Sequence, residues 1–255
     1  MKVAMMQPAF LPWQGFFELI CKSDVFIILD DFQFSVQSYH QRNRLFVNKG
    51  KADWYTVPIQ KAGSFGAPLN DVMINNKMPW RVKMWKSIRQ NYSKAVYFGE
   101  LAPSIEKWLL CSHRSLADQN IAFINLICAF LGIQTEFRLS SKHKINAYRS
   151  HKVLELLSWC NATQYLCAQG SFDYMRQDAI FPVDDIEVLF QNFEPKPYTQ
   201  IGALNEFIPS LSILDALLNI GPEKTLELIN KGTTKWLTWK DMMAKGHLKY
   251  NNEEN

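Results

Sequence analysis

The opening of the chain most strongly constrains the fold, because short apolar runs alternate there with a helical pattern. Lys2–Met6 and Val25–Leu29 are predicted to be buried strands, and Trp13–Lys22 has the apolar spacing of an amphipathic helix. A strand, helix and strand of these lengths form a βαβ unit with parallel strands and a right-handed crossover. We therefore expect the loops Gln7–Gln14 and Asp30–Gln33 to meet at the carboxyl edge of a sheet, where α/β proteins bind ligands.

The rest of the chain continues this alternation and predicts an α/β fold, with a mostly parallel sheet flanked by helices, a β-hairpin insertion and a helical C-terminal part. The hairpin strands are predicted at Arg42–Val47 and Trp54–Ile59, with Lys49-Gly50 as the turn. Further helices are predicted at 79–91, 102–111, 114–131 (ended by Gly132), 150–160, 211–219 (closed by Gly221-Pro222) and 223–230, and further strands at 135–139, 164–167 and 187–190.

The domain organisation follows from what separates these elements. The chain has no linker rich in Pro, Gly or Ser, so residues 1–244 are expected to form one domain with the hairpin at about residues 42–60. Residues 245–255 turn polar and are predicted to be a C-terminal tail, because they cannot bury enough apolar surface to offset their ordering entropy. With 47% hydrophobic residues, the remainder has ample side-chain area for a core.

Cysteine usage and motif spacing exclude several classes of protein. The five cysteines are scattered and odd in number, which argues against a disulfide framework and for reduced thiols. The sequence has no His-x-x-x-His or Cys-x-x-Cys spacing and no Walker or dinucleotide fingerprint. We therefore predict no metal site. The sequence identifies neither a cofactor nor an oligomeric state.

The same pattern of apolar runs addresses location. No long apolar leader follows Met1, because the first strand passes directly into Gln7-Pro8. The most apolar segment, Ile121–Ile133, would be about 20 Å long as a helix, too short for a hydrocarbon core of about 30 Å. We expect a cytoplasmic protein without membrane insertion.

The charge is unevenly distributed and points to an anionic ligand. The whole chain carries +4, but residues 32–99 hold eleven Lys or Arg and only two acids. Such a region suits phosphate groups on a nucleotide, a nucleotide-linked sugar or a nucleic acid, although a solvated helix face explains any one charge equally well. Nucleic-acid binding is disfavoured, because no stacking platform or known module accompanies the charge.

The loop after the first strand contains the first candidate ligand residues. Pro8 and Pro12 rigidify it, and Gly15 permits close backbone approach at a helix start, where amides favour anions. Gln7 and Trp13 are the candidate substrate-binding residues, because both are costly to bury without a purpose. The alternative is a rigid turn with core aromatic side chains.

A polar cluster follows the second strand and is the preferred site. Asp30 or Asp31 is a candidate general base, and His40 has the right intrinsic pKa for proton transfer near neutrality. The candidate substrate-binding residues here are a pair of arginines that can clamp a diphosphate and two amides that can orient a sugar, namely Arg42, Arg44, Gln33 and Asn43. The alternative is a helix cap with surface ion pairs.

Later segments supply weaker candidates. Ser140 and Ser141 follow a strand and can donate hydrogen bonds to phosphate, and Tyr198 and Gln200 lie after a stiff Pro-Lys-Pro in a loop that can cover a pocket. In the segment 167–174, Gly170 and Ser171 can approach a ligand, and a Cys167 nucleophile is weighed. Asp215 lies in an apolar helix and is expected to pair with a cap, an Arg or a Lys.

The segments Met6–Ile20, Asp30–Ser35 and Gln41–Arg44 together resemble the start of WbqC-like proteins. The resemblance continues in Thr56–Ile59, in Leu131–Ile133 with Ser140-Ser141, and in Phe207–Asp215. It implies a role in O-antigen or other surface-polysaccharide biosynthesis, which is a pathway rather than a reaction. Together with the basic region, it leads us to expect an enzyme acting on a nucleotide-linked sugar, possibly an acyl or related group transferase. The alternative is a non-catalytic nucleotide-sugar or partner-binding protein of the same pathway.

A second, weaker likeness concerns only the order of elements. A strand, a Pro-containing loop with Gly at the helix start, a helix and a strand also open the HIGH-type nucleotidyltransferases and pantothenate synthetase. Those enzymes use two histidines in the loop, where this chain has Pro12, Trp13 and Gln14. Nucleotidyl transfer by that mechanism is therefore disfavoured, whereas nucleotide binding on a similar scaffold stays open.

Overall fold

A computed structural model describes residues 1–47, 50–202 and 206–251, with side chains described up to residue 245. Within these ranges the main sheet has six strands in the order β5-β2-β1-β6-β7-β8, and the first five are parallel, whereas β8 runs antiparallel to β7. The strands are β1 Lys2–Met6, β2 Val25–Ile28, β5 Glu136–Leu139, β6 Gln164–Ala168, β7 Glu187–Gln191 and β8 Leu237–Thr238. The predicted α/β class with a mostly parallel sheet is confirmed.

Helices connect the strands and form the C-terminal part, as predicted. Most begin and end within a few residues of the positions that the apolar spacing indicates. They are α1 Gln14–Lys22, α2 Trp80–Tyr92, α3 Phe98–Leu110, α4 Leu116–Leu131, α5 Arg149–Trp159, α6 Phe172–Asp178, α7 Ile213–Asn230 and α8 Trp239–Asn251.

Both faces of the sheet are covered, which explains why its strands are almost continuously apolar. Along β1 the side chains alternate, so that Ala4 belongs to the core on one face and Val3 and Met5 belong to the core on the other. The α1 side chains, such as Phe16, complete the first core, and the α5 side chains, such as Val153, complete the second.

The hairpin insertion consists of β3 Arg42–Val47 and β4 Lys51–Thr56, which pair antiparallel. Its first strand is confirmed. The second strand begins at Lys51 rather than at Trp54, because the register pairs Val47 with Lys51 at the turn and Arg42 with Thr56 at the other end. The turn was predicted at Lys49-Gly50, and Asn48 and Lys49 lie outside the described residues.

Two helix ends depend on glycine, as the sequence predicts. Gly132 ends α4 with a left-handed φ of 66°. In α7, Gly221 has a φ of 80° and separates two helical halves at the predicted Gly-Pro break. A Cβ on Gly221 would lie 2.4 Å from the Tyr97 ring, so only glycine fits there. The tail predicted from residue 245 begins inside α8, and residues 252–255 lie outside the described ranges.

The order of the strands places one crevice at the centre of the sheet. From β1 the chain moves outward to β2 and β5 on one side, then returns to β6 on the other side of β1. The carboxyl ends of β1 and β6 therefore flank the point where the strand order reverses, which is where doubly wound sheets bind ligands. None of the helices in the described ranges is long and apolar enough to cross a bilayer.

Candidate functional site

A pocket of about 510 Å³ opens at this crevice. Its volume lies within the range of small-molecule sites, and its lining is mostly apolar with a few polar groups, as is usual for such sites. The apolar lining comes from Met5, Met6, Ala9, Leu29, Phe32, Val153 and Tyr165. The polar and amphipathic lining comes from Gln7, Ser38, Tyr39, His40, Arg149, Ser171 and Tyr174.

The loops after β1 and β2 meet beside the pocket, as the sequence predicts. Gln7 Nε2 donates to the backbone oxygen of Gln33 at 2.9 Å. Phe10 N donates to Tyr39 O at 2.9 Å. The buried Asn120 amide then donates to Pro8 O at 2.9 Å and to His40 O at 2.8 Å, so one side chain of α4 fixes both loops.

His40 lies in the pocket wall and is mostly buried. Burial lowers the pKa of its imidazole from 6.5 to about 4, because the charged form loses its hydration. The ring is therefore neutral at physiological pH. Its Nδ1 atom is buried and has no hydrogen-bond partner among the described residues. An unpaired buried polar atom is costly, so a polar group on a ligand in this pocket would find a ready partner.

Arg149 supplies a positive charge at the pocket and begins α5. Its backbone has a left-handed φ of 51°, which is unfavourable for a residue with a Cβ. Its Nε atom lies 3.0 Å from Asp178 Oδ1. Ser150 donates to the same carboxylate through its hydroxyl at 2.7 Å and its amide at 3.2 Å, and the hydroxyl bond is the main reason that the pKa of Asp178 is lowered.

The far wall of the pocket is formed by phenols and by Ser171. Burial raises the pKa of Tyr174 and, more strongly, that of Tyr165, so both phenols stay protonated, and each is hydrogen-bonded to the other and to Ser171. Cys167 is fully buried, and burial raises its pKa well above its ordinary value. The interpretation of Cys167 as a nucleophile is therefore wrong, because no thiolate forms there near neutral pH. Ser171 does line the pocket, in the segment predicted to approach a ligand.

The aspartate pair and the serine pair form one cluster next to the pocket, because β2 and β5 are parallel neighbours. Asp30 accepts from Ser140 Oγ at 3.2 Å, from Ser141 N at 3.0 Å and from Ser141 Oγ at 2.6 Å. Asp31 accepts from Ser140 Oγ at 2.5 Å and from Lys152 Nζ at 2.7 Å. These carboxylates tie two strand ends together, and Lys152 also lies 4.6 Å above the ring of the pocket residue Phe32.

The three polar residues at the start of β3 do not share a face. Successive side chains of a strand point in opposite directions, so Asn43 faces away from its two arginine neighbours. Asn43 is 2% exposed and donates to Phe10 O and Leu11 O, which holds the opening loop rather than a sugar. Arg42 lies 4.4 Å above the Trp54 ring, whose other neighbour is Tyr39 of the pocket wall at 5.8 Å. Arg44 faces the same indole across the hairpin.

The remaining candidates, Trp13, Tyr198 and Gln200, are not brought to the pocket. Trp13 packs edge-on against Phe193 at 5.0 Å. Tyr198 and Gln200 donate to Asp215 Oδ2 at 2.6 and 2.8 Å, and Tyr92 donates to Asp215 Oδ1 at 2.8 Å. The prediction that Asp215 pairs with a cap, an Arg or a Lys is therefore wrong, because the phenols of Tyr92 and Tyr198 and the amide of Gln200 supply the donors. Burial still raises the pKa of this carboxyl group.

Sequence reasoning missed several pocket residues, and the reasons differ. Phe32 and Tyr39 lie among the polar candidates after the second strand, but an aromatic side chain gives no polar signal of a site. Arg149 and Tyr174 come from α5 and α6, far along the chain, and only the strand order brings them to β1. The left-handed backbone of Arg149 could not be predicted either, because neither arginine nor its neighbours in the sequence favour that conformation. Within the described ranges, no three His, Cys, Asp or Glu side chains gather as metal ligands.

This arrangement defines a doubly wound α/β protein with a pocket at the switch point of its sheet. The chain belongs to the WbqC-like protein family, whose profile matches residues 7–227. An uncharacterized protein of Mycobacterium tuberculosis, Rv1507c, is 31% identical over 224 residues, which is 87% of this chain and 95% of that protein. No solved structure matches the chain significantly.

Proposed function

We propose that the protein binds a nucleotide-linked sugar in the switch-point pocket and transfers an acyl or related group to it, as a cytoplasmic step of surface-polysaccharide (O-antigen) biosynthesis. The observation that carries the proposal is the pocket itself, which lies at the carboxyl ends of β1 and β6 and combines an apolar floor with separate polar groups. The pathway is proposed from what the resemblance to WbqC-like proteins implies, and membership of that family supports it.

The pocket and its rim offer partners for each part of such a ligand. Arg149 lines the pocket, and Arg42 lies beside it on the hairpin, so two guanidinium groups are available to a diphosphate. Tyr39 and Trp54 present aromatic faces to a base or to the apolar face of a sugar. Gln7 keeps its side-chain oxygen for a sugar hydroxyl or amine, because only its nitrogen is engaged by Gln33.

His40 is the residue best placed for the transfer step. In acyl transfer to an amino sugar from an activated acyl donor, the amine attacks the acyl carbon, the new C–N bond forms, the bond to the donor's leaving group breaks, and the proton lost by the amine passes through a base to that leaving group. A neutral imidazole with an unpaired nitrogen can accept that proton. Asp30 and Asp31 are saturated by serines and a lysine, so we assign them to holding the strand ends next to His40's loop.

Thermal shift measurements with nucleotide sugars test the binding proposal. dTDP- and UDP-sugars should raise the melting temperature, whereas inorganic pyrophosphate at equal concentration should raise it less. Arg149→Ala should weaken nucleotide-sugar binding about tenfold, since one charge-assisted contact is lost. Arg89→Ala, on the exposed face of α2, is the matched control and should bind as the wild type does. Equal stabilisation by all anions, or none by any, contradicts the proposal.

One observation favours the alternative, a non-catalytic protein that binds a nucleotide sugar or a partner. The low pKa of His40 makes it a weak base, and within the described residues the pocket pairs no nucleophile with a base. Isothermal titration and product analysis of His40→Gln separate the two functions. Loss of product with retained binding supports the transferase, whereas normal surface-glycan output from cells carrying this variant supports the binding protein.

A further inference from the structure

Four large apolar side chains on the hairpin and on the two loops paired through Gln33 and Pro68 are exposed to solvent. Phe65 is 93% exposed, Tyr39 is 56%, Val36 is 55% and Trp54 is 41%. We call these four residues the apolar rim. A single exposed apolar residue needs no explanation, but a contiguous group marks an interaction surface.

The backbone joins the members of the rim. Phe34 N donates to Ala67 O at 2.8 Å, and an antiparallel bridge links Gln33 with Pro68, so the two loops run side by side. This pairing brings the loop that carries Phe65 beside the loop that carries Val36. Tyr39 follows Val36 by one turn, contacts Trp54 on the hairpin and lines the pocket. Tyr39 is thus both a member of the rim and a pocket residue, and the loop of Phe65 is paired with the segment that leads to Tyr39.

The shape of the loop that carries Phe65 suits insertion into another phase. Gly63 and Gly66 flank the ring with φ values of 76° and 74°, and neither has a close neighbour at its Cβ position except the far end of Gln33. Two left-handed glycines thus form a protruding tip with open space around it. The Phe65 ring is 93% exposed, so packing against the described residues does not explain why an aromatic side chain stands at this position.

Positive charges surround the rim. Arg42 stacks on Trp54. Lys51 begins the strand that carries Trp54, and Lys61 begins the loop that carries Phe65. Both lysines are exposed. The whole segment 32–99 holds eleven Lys or Arg against two acids. One of these acids, Asp53, accepts from the backbone of Trp54. The partner of this surface should therefore be anionic as well as partly apolar.

We propose that the apolar rim docks the protein peripherally on the surface of an anionic lipid bilayer, with Phe65 at the boundary of headgroups and acyl chains. Aromatic and aliphatic side chains flanked by Lys and Arg are the combination that such a boundary favours. A nucleic acid would be served by the cations and the indole but offers nothing to an aliphatic Val36 or to a Phe on a protruding tip. Docking in this way holds the pocket mouth at the membrane surface.

Sedimentation with sucrose-loaded vesicles tests the proposal on the full chain. We expect binding to vesicles of phosphatidylglycerol and phosphatidylcholine in equal parts, and little binding to phosphatidylcholine alone. Phe65→Ser should lower the partition coefficient about tenfold, because the ring no longer leaves water. Lys61→Gln should lower it about fivefold. Val96→Ser removes an equally exposed apolar residue, 81% exposed beyond the end of α2, and should change nothing.

Three outcomes would overturn the proposal: no binding to either vesicle, equal partition of the wild type and Phe65→Ser, or tighter retention on duplex DNA than on anionic vesicles at the same salt concentration. The proposal does not depend on nucleotide-sugar binding. Phe65→Ser leaves the described pocket lining intact, so it should keep the thermal shift with dTDP- and UDP-sugars. Failure of one proposal is therefore visible without failure of the other.

Discussion

Two polar clusters in this protein have opposite hydrogen-bonding states, one around the fully buried Asp215 and the other around the partly buried His40. Around Asp215, Tyr92, Tyr198 and Gln200 direct three donors at one carboxylate. Around His40, which lines the pocket, the buried imidazole Nδ1 atom has no hydrogen-bond partner among the described residues. A buried polar group with all its partners belongs to the fold, whereas one without a partner beside a cavity indicates a ligand.

The two clusters also differ in the direction of their pKa shifts. Burial disfavours the charged form in both, so it lowers the pKa of His40 to about 4 and raises the pKa of Asp215. Burial therefore disfavours the protonated form of His40 in the folded state, and no acceptor or negative charge among the described residues compensates for it. The Asp215 carboxylate is opposed by burial too, but its three donors partly offset that cost.

The largest expected effect comes from removing the centre of the saturated cluster. Asp215→Ala leaves three buried donors without their acceptor and should lower the free energy of unfolding by about 3–5 kcal/mol. Urea denaturation at neutral pH measures this change. Asp31→Ala, at a partly exposed carboxylate with a single salt bridge and a serine contact, serves as the comparison and should lose clearly less. If both variants lose the same amount, the Asp215 cluster has no special role.

The second effect is a pH dependence that belongs to His40. Between pH 4 and 6.5 the unfolded chain holds a proton on this residue and the folded chain does not, so stability should fall as pH is lowered through this window, by up to about 3 kcal/mol. Asp215 acts in the opposite direction, since its raised pKa contributes stability at low pH that is lost as pH rises above the ordinary carboxyl value of 3.8.

The difference between the wild type and His40→Gln isolates the histidine from the acidic groups. We expect the urea midpoint of the variant to fall less steeply below pH 6.5 than that of the wild type. The two curves should run parallel above pH 7. Parallel curves throughout the range from pH 4 to 7 would show that the imidazole is not held in its neutral form.

The same contrast explains how much could be predicted from the sequence. The βαβ opening, the helices and the meeting of the two loops follow from local patterns of period two and 3.6, which side-chain spacing records directly. Gln7 and His40 were found because both lie in those loops. The hairpin's second strand was misplaced, because register depends on the partner strand and the turn rather than on local propensity.

Residues from distant segments could not be assigned in the same way. Tyr198 and Gln200 are predicted as ligand residues because they follow a stiff Pro-Lys-Pro in a loop that can cover a pocket. In the structure both side chains donate to Asp215 on α7, for which the sequence predicts a cap, an Arg or a Lys as partner. Composition gives the number of donors and acceptors but not their pairing, so sequence alone cannot tell a satisfied cluster from an open one.

The smallest effects separate the clusters most cleanly, because a single hydroxyl is removed from each. Tyr198→Phe deletes one donor to Asp215 and should cost about 1–2 kcal/mol of stability without changing nucleotide-sugar affinity. Tyr174→Phe deletes a hydroxyl that is hydrogen-bonded to Tyr165 and Ser171 at the pocket, so it should cost a similar amount of stability, about 1–2 kcal/mol, but should also weaken nucleotide-sugar binding about fivefold. Urea denaturation and isothermal titration on both variants measure the two quantities. The reverse pattern would place the ligand at Asp215, because a hydroxyl affects affinity where the ligand binds and affects stability where the fold uses it.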